Sequence, residues 1–482
     1  MFDVVIIGCG VVGAAAAYEL SKYGISAAVL EKENDVASGT SKANSGIIHA
    51  GYDPEPGTLM AKLNVRGAYL AGELCRKLDV PYKQIGSLVL AFDERDMASV
   101  RQLYERGRTN GVKDLELLDA EQVRLIEPNA CKSVCGALFA ADAAIICPWE
   151  YTLALAETAV KNGVKLYLNS PVRSISPLPS GGYRLFSDGA YWDTRFILNA
   201  AGVHADDIHN MAAEPEFSIT PVRGEYFLMD KCESKRAAHI LFGVPGEFGK
   251  GVLVAPTVHG NLIVGPGTEP VDDKENTGTT YGGLDYVKQT ALKAVPSIDF
   301  HRCIRNFSGL RAVSDTDDFI VRENAGAKGF IDIAGIKSPG LSAAPAIAEM
   351  AVELLQSSGL KLERKERIVD SRKRIRFKGL SPDEKNELIM RNPAYGNVIC
   401  RCETVTEGEI LDALSGPIPP QSIDGVKRRT GSGLGRCQGG FCGPKILSII
   451  AREKKQEPVE ILQDKAGTFV LTDETKTGGS HA

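Results

Sequence analysis

The chain has 482 residues, 43% of them apolar and 24% charged, with a net charge of −5; this is a soluble-type composition with core enough for roughly two to four domains and no basic surface for nucleic acid. Its apolar runs stay under about 10 residues, too short to span a bilayer, and it enters a strand at once, without the charged and apolar stretches of a signal peptide. The 11 cysteines are an odd number in a large chain, which points to reduced thiols or a metal site and to the cytoplasm.

Residues 3–7 read D-V-V-I-I, a short β-branched strand. Gly8, Gly10 and Gly13 follow in the order G-x-G-x-x-G, then an Ala-rich helix to about Leu20, then a strand over 27–30 that ends at Glu31. Gly8 permits the turn, Gly10 lets backbone approach a pyrophosphate, and Gly13 lets helix and strand pack closely. The pyrophosphate would sit at the helix N-terminus, where unpaired N–H groups favour an anion. Glu31 lies about 20 residues on, placed to accept from a ribose diol and to repel a 2′-phosphate. Gly8, Gly10, Val11, Val12, Gly13, Glu31 and Lys32 are therefore expected to hold a dinucleotide. The motif alone does not choose between FAD and NAD.

Residues 37–51 are small, hydroxyl-rich and punctuated by glycine. Such a stretch can lie along a flat ligand, with Ser38, Thr40, Ser41, Asn44, Ser45 and Gly46 facing it. Apolar spacing predicts helices over 58–80, 94–113 and 119–126, with a strand inside 81–92. Cys131 and Cys135 read as core thiols, because free cysteine is usually buried. A helix over 151–162 leads to a strand over 165–168, with Val172 just beyond in the cofactor-binding set. A strand over 196–198 ends in Asn199-Ala200-Ala201-Gly202, where Ala200, Ala201 and Gly202 again let backbone pass close to a dinucleotide. Residues 218–229, 252–255 and 261–265 form a β-rich meander apart from the parallel sheet. A strand over 330–335 precedes Ser338-Pro339-Gly340-Leu341-Ser342, which opens a helix over about 344–356; its N-terminus, with Gly340 and Leu341, is a second anion site. Residues 361–395 are rich in Lys, Arg and Glu and read as a charged linker.

Beyond 396, Cys400-x-Cys402 and Cys437-x4-Cys442 place four thiols in two close pairs. Such a set can ligate zinc or an iron–sulfur cluster. The short C-x-C bite and the surrounding Gly433, Gly435, Gly439, Gly440 and Gly443 favour a two-iron cluster, with backbone N–H groups turned toward sulfur. Arg428, Arg429 and Arg436 are expected to offset its negative charge.

The run C-R-C-E-T-V-T-E-G-E-I, followed by V-K-R-R-T-G-S-G-L-G-R-C-Q-G-G-F-C, resembles the bacterioferritin-associated-ferredoxin type of [2Fe-2S] domain over about 396–455. Residues 1–355 resemble the D-amino-acid oxidase superfamily, which shares the Gly8–Glu31 pattern. The resemblance implies an α/β fold: a Rossmann-like FAD-binding domain with an antiparallel-sheet substrate domain over the flavin, plus a small C-terminal cysteine-ligated [2Fe-2S] domain. The expected divisions are an FAD-dependent body over 1–360, with FAD-binding segments about 1–80, 150–215 and 330–360 and substrate segments about 81–149 and 216–329. A linker at 361–395, a cluster domain at 396–455 and a tail at 456–482 complete it. Within the superfamily, S-G-T-S-K-A-N-S-G-I-I-H-A-G resembles the anaerobic glycerol-3-phosphate dehydrogenase A subunits, which also own this C-terminal domain. N-S-G-I-I-H-A-G-Y-D-P-E-P-G, P-V-R-G-E-Y and S-G-L-R-A-V resemble the L-2-hydroxyglutarate dehydrogenases. Tyr52-Asp53-Pro54 departs from the first pattern; the cluster domain departs from the second.

Oxidising a secondary alcohol by flavin needs a hydride acceptor, a base for the hydroxyl proton and cations for the substrate's anionic group. His49 is the candidate base. Arg311 in F-S-G-L-R, Arg223 in P-V-R-G-E-Y and Lys337 before S-P-G-L are the candidate cations, with Gly309 beside them in the cofactor-binding set. The expected reaction is glycerol 3-phosphate to dihydroxyacetone phosphate, with electrons passing from flavin to the cluster. From there they would reach an acceptor other than O2: a partner subunit, a quinone or an NAD-linked flavoprotein, with peripheral membrane association through that partner. L-2-hydroxyglutarate oxidation, amine oxidation, a redox-sensing binding module and a zinc-held scaffold are the rival readings.

Overall fold

β1 (Phe2–Ile7) is buried along its last four residues because it has parallel neighbours on both edges. β2 (Ala27–Leu30) flanks it on one side and the strand Ala190–Asn199 on the other, so β2, the last four residues of β1 and Phe196–Leu198 read as buried apolar runs. Between β1 and β2, α1 (Val11–Leu20) is buried nearly all round and packs against helices Pro148–Lys161 and Gly340–Ser357. This is a core helix, which explains its Ala-rich, non-amphipathic sequence. Among the described residues the sheet has eight strands, and Phe330–Ala334 extends it by pairing in parallel with the end of Ala190–Asn199.

These coordinates come from a computed structural model that describes residues 1–245 and 251–473. The end of the expected tail, 474–482, lies outside the described residues. The described residues divide into two compact units, Met1–Lys32 with Val36–Arg372, and Glu33–Asp35 with the described chain from Lys373 onward.

The first unit also holds a sheet that has nine strands among the described residues. Its longest pairing is antiparallel, Ile219–Met229 against Cys303–Ser314. One pairing departs from the antiparallel expectation: Ile240–Gly243 runs parallel to Ser87–Ala91. Alternation splits this sheet's side chains between two cores. Leu88, Leu90, Val254 and Val264 pack on one face with Val287 and Ala291 of helix Tyr281–Ala294. Val89, Ala91, Leu253, Ile263 and Phe242 pack on the other.

Two sequence expectations need correction. Cys131 is only half-buried, beside the Ser133 hydroxyl, and Cys135 is exposed, its thiol donating to the Ala91 carbonyl. They lie in the turn that leads into strand Gly136–Ala140, where Cys131 packs against the edge of the core and Cys135 lies outside it. Residues 361–395 are not a free linker. The Lys365 ammonium donates to the Ser21 and Asn162 carbonyls, Asp370 accepts from Tyr18, and Arg372 pairs with buried Glu157, all within the first unit. From Lys373 the chain belongs to the second unit, where a capping box of Ser381 and Glu384 starts helix Pro382–Arg391.

The second unit is built on helices Glu407–Leu414, Ile423–Thr430 and Gly443–Lys454, whose Ile410, Val426, Ile446 and Ile450 form its core with Ile399 and Val405. Asp35 belongs to it, its buried carboxylate accepting from both Arg428 and Arg429. These two arginines are therefore spent on Asp35 and on Asp464, which takes Arg428. The expectation that they offset a cluster is corrected.

Candidate cofactor and substrate sites

At the end of β1 the geometry demands glycine at Gly8 and Gly13. Gly8 has φ +95, and a Cβ there would lie 2.6 Å from the Ala200 carbonyl oxygen. The A-A-G segment thus crosses directly behind the turn, where Ala200 N–H donates to the Ile7 carbonyl. A Cβ on Gly13 would lie 2.0 Å from the Gly8 oxygen, so only glycine lets α1 start this close to β1. Gly10 caps α1 without a side chain. Glu31 is buried beyond β2, and its Oε2 accepts the Cys9 N–H at 2.7 Å, which aims a carboxylate at the mouth of the turn. Lys32 instead engages Glu275 and His204, and Val172 packs against the β1 core.

The hydroxyl-rich loop is held by its own polar groups. Ser41 Oγ accepts from Val11 N–H at 2.8 Å, taking one of the donors at the start of α1. Thr40 Oγ1 donates to the Leu310 carbonyl. Asn44 ties the Thr40 and Ser41 carbonyls to the Gly46 N–H. These side chains shape the loop from within, so backbone carries much of the ligand-facing surface. Ala37 is held at φ 59 with its N–H on the Cys9 carbonyl, a strained position for a residue with a Cβ. A Cβ on Gly309 would stand 2.0 Å from the Ala43 oxygen, so this glycine lets the second sheet reach the loop.

His49 follows the short strand Ile47–Ile48 and is buried. Its N–H donates to Ser342 Oγ at 2.8 Å, and its Nε2 stands 3.4 Å from Ser338 Oγ. Its ring leans on Phe242 at 5.9 Å. The imidazole is thus lodged against the start of helix Gly340–Ser357, which has no side-chain cap. Gly340 and Leu341 open that helix. Lys337 is half-buried just before it, and among the described residues its ammonium has no hydrogen-bond or ion-pair partner.

Register separates the two arginines. Arg311 faces Val222 across the long antiparallel pair, on the same side as Tyr226, Phe307 and Gly309. Arg223 faces Leu310 on the opposite side. There its guanidinium is occupied by Glu269 at 2.6 Å and Glu225 at 3.4 Å. Arg223 is thus not brought to the loop, and the pairing explains its burial without a ligand. Arg311 is different. Its Nη2 donates to the Gly267 carbonyl, and its buried Nε, like that of Arg223, has no hydrogen bond, but among the described residues no carboxylate pairs with it. Burial pushes the guanidinium below its ordinary pKa, so an anion placed there would be strongly favoured. Tyr226, stacked on Phe307 at 4.9 Å, shares this face and bonds the Ser45 hydroxyl. Burial pushes its phenol up to about 12, so it remains an O–H donor at neutral pH. Sequence reasoning missed Tyr226, Ser338 and Ser342. The helix-opening motif held the two serines, but only strand register reveals the tyrosine.

In the second unit, Cys402 and Cys437 sulfurs lie 3.6 Å apart, and the Cys442 thiol bonds Cys400. Two thiolates on one tetrahedral metal at ~2.3 Å stand about 3.8 Å apart, so the spacing suits shared ions. The bond from Cys442, with the N–H groups of Gly433 and Glu403, brings the Cys400 pKa down. Burial opposes the same fall at Cys437, where the Phe441 and Gly439 N–H groups outweigh it. Gly433 and Gly439 have φ +81 and +89, which turn these donors toward sulfur. The four thiols, ringed by N–H donors, fit a [2Fe-2S] cluster.

Residues 3–354 match the family described as FAD dependent oxidoreductases, and residues 398–452 match the BFD-like [2Fe-2S] binding domain. A glycerol 3-phosphate dehydrogenase from Caloramator mitchellensis is 48% identical over 478 residues, covering 99% of both chains. An L-2-hydroxyglutarate dehydrogenase from Caenorhabditis briggsae is 34% identical over 55% of this chain and 63% of its own. Among solved structures, the dithionite-reduced, FAD-bound L-α-glycerophosphate oxidase of Mycoplasma pneumoniae superposes with a TM-score of 0.74 at 33% identity. It covers 77% of this chain and 98% of its own.

Proposed function

Since the chain belongs to the FAD dependent oxidoreductase family and carries a BFD-like [2Fe-2S] binding domain, we propose that it is a glycerol 3-phosphate dehydrogenase. It would oxidise the C2 hydroxyl of sn-glycerol 3-phosphate to the ketone of dihydroxyacetone phosphate. The observation that carries this reading is the 48% identity to a glycerol 3-phosphate dehydrogenase along both modules. When bound, FAD supplies the acceptor for the C2 hydride and the cluster a one-electron relay.

The chain's own residues supply the rest. The Gly8–Gly13 turn and α1 cradle the pyrophosphate, and Glu31 receives the ribose hydroxyls. His49, steadied by Ser338, Ser342 and Phe242, takes the proton of the C2 hydroxyl. Arg311 presents its unpartnered Nε to the phosphate, and Lys337 adds a second cation. Tyr226 offers an O–H to the substrate's remaining polar groups. Cys400, Cys402, Cys437 and Cys442 would hold the cluster, which would supply one-electron transfer toward a partner protein or quinone. No helix among the described residues is long and apolar enough to cross a membrane.

The test is anaerobic flavin bleaching on the full chain. Glycerol 3-phosphate should bleach the flavin rapidly and then the cluster. Bleaching by L-2-hydroxyglutarate, or by glycine, sarcosine or proline, in its place would move the assignment to that substrate. No bleaching by any of them would leave a redox-sensing module.

A further inference from the structure

Helix Pro148–Lys161 and the turn between strands Leu253–Pro256 and Leu262–Gly265 bring together three side chains that the reading above does not use. Cys147 occupies the N-cap of that helix and Glu150 lies in its first turn, three residues on, so both stand over the same end. Gly260, at φ +86, tightens the hairpin that presents His259. His259 Nε2 lies 3.1 Å from Glu150 Oε1. The cysteine sulfur, a carboxylate oxygen and an imidazole nitrogen all fall within 4.8 Å of one another.

We propose that Cys147, Glu150 and His259 form a zinc site, three protein ligands with a fourth, open position. Thiolate, imidazole and carboxylate are the zinc ligand set, and tetrahedral bonds of about 2.0–2.3 Å place such ligands about 3.3–3.6 Å apart. The trio therefore needs to close by little more than about 1 Å at flexible side-chain ends to grip an ion. The helix N-terminus favours the thiolate and the carboxylate, both of which must be anionic to ligate. Cys147 and Glu150 are 2% and 7% exposed, whereas His259 is exposed, so the site is buried on two sides and open to an entering ion on the third. A plain ion pair between His259 and Glu150 would require no thiol beside it. The bound ion would clip the hairpin of the nine-stranded sheet to a helix of the FAD-binding layer, all within the first unit.

The experiment is equilibrium dialysis of the full-length protein, loaded with FAD and with its cluster, against buffered zinc chloride, followed by elemental analysis. The wild type should retain one zinc per chain more than His259→Ala or Cys147→Ser. Its zinc affinity should exceed theirs at least about 100-fold, above the loss typical of removing only an outer-shell partner. Zinc should raise the melting temperature of the wild type and leave that of His259→Ala unchanged. His259 is exposed, so its replacement leaves the fold intact; melting in zinc-free buffer checks the same for Cys147→Ser. Equal zinc content in wild type and His259→Ala, or none beyond the cluster domain in either, would overturn the site and leave an ordinary ion pair.

Discussion

Replacing Gly13 by alanine isolates the contact that lets α1 meet β1. The new Cβ would lie 2.0 Å from the Gly8 carbonyl oxygen, where an ordinary contact is about 3.2 Å or more, so about 1.2 Å must be made up. Both sides are backbone, so neither can swing away. Overpacking of this kind costs about 1–3 kcal/mol, sometimes more. Alanine in a helix returns up to about 1 kcal/mol of propensity, so the net loss should be about 1 kcal/mol or more. Gly8 is also the turn on which the pyrophosphate would rest, so its displacement should raise the FAD dissociation constant at least about tenfold, or about 1.4 kcal/mol. Denaturant titration followed through flavin fluorescence measures stability, and fluorescence titration of the apoprotein measures affinity. Gly282→Ala is the control: that glycine is exposed in helix Tyr281–Ala294 and a Cβ there meets nothing within 4 Å, so it should be neutral or slightly stabilising. A Gly13→Ala protein with wild-type stability and FAD affinity would refute the packing argument.

Arg311→Met should lower kcat/KM for glycerol 3-phosphate at least about 100-fold, the equivalent of two charge-assisted hydrogen bonds at about 1.5–3 kcal/mol each; unchanged kinetics would remove Arg311 from the site. Arg223→Met should leave KM near wild type but destabilise the fold by about 3–5 kcal/mol, because it strands buried Glu225; a selective rise in KM would reverse the two assignments. His49→Gln should retain FAD, seen in its visible spectrum, while kcat falls about 10²–10⁴-fold. Within the second unit, burial would raise the Asp35 pKa, but Arg429 and Arg428 outweigh it and hold the carboxyl below its ordinary 3.8. That ionic stabilisation is present above the unfolded value and is lost as pH falls through the lower folded one. Asp35→Asn should therefore cost about 3–5 kcal/mol at neutral pH, and its melting curve, followed through cluster absorbance, should lose less between pH 5 and pH 3 than that of the wild type.

The nucleotide turn was legible in the sequence because each of its requirements acts over a few residues. A positive φ, a close approach and a carboxylate one strand later leave Gly8, Gly13 and Glu31 few substitutes. The four thiols were legible for the same reason, since chelation demands particular atoms at short spacing. What only the tertiary structure decided was which polar groups are already taken. Arg223 and Arg311 look alike along the chain, but cross-strand register puts one among carboxylates and leaves the other, among the described residues, with no carboxylate partner. Arg428 and Arg429 sit a few residues before the second cysteine pair, but both turn to Asp35, nearly 400 residues away in sequence. Tyr226 was hidden in strand Ile219–Met229 because its neighbours come from strand Cys303–Ser314 and the loop at Ser45. Local covalent geometry writes itself into sequence motifs, whereas the pairing of charges is settled by which face of a strand or helix each side chain occupies once the chain has folded.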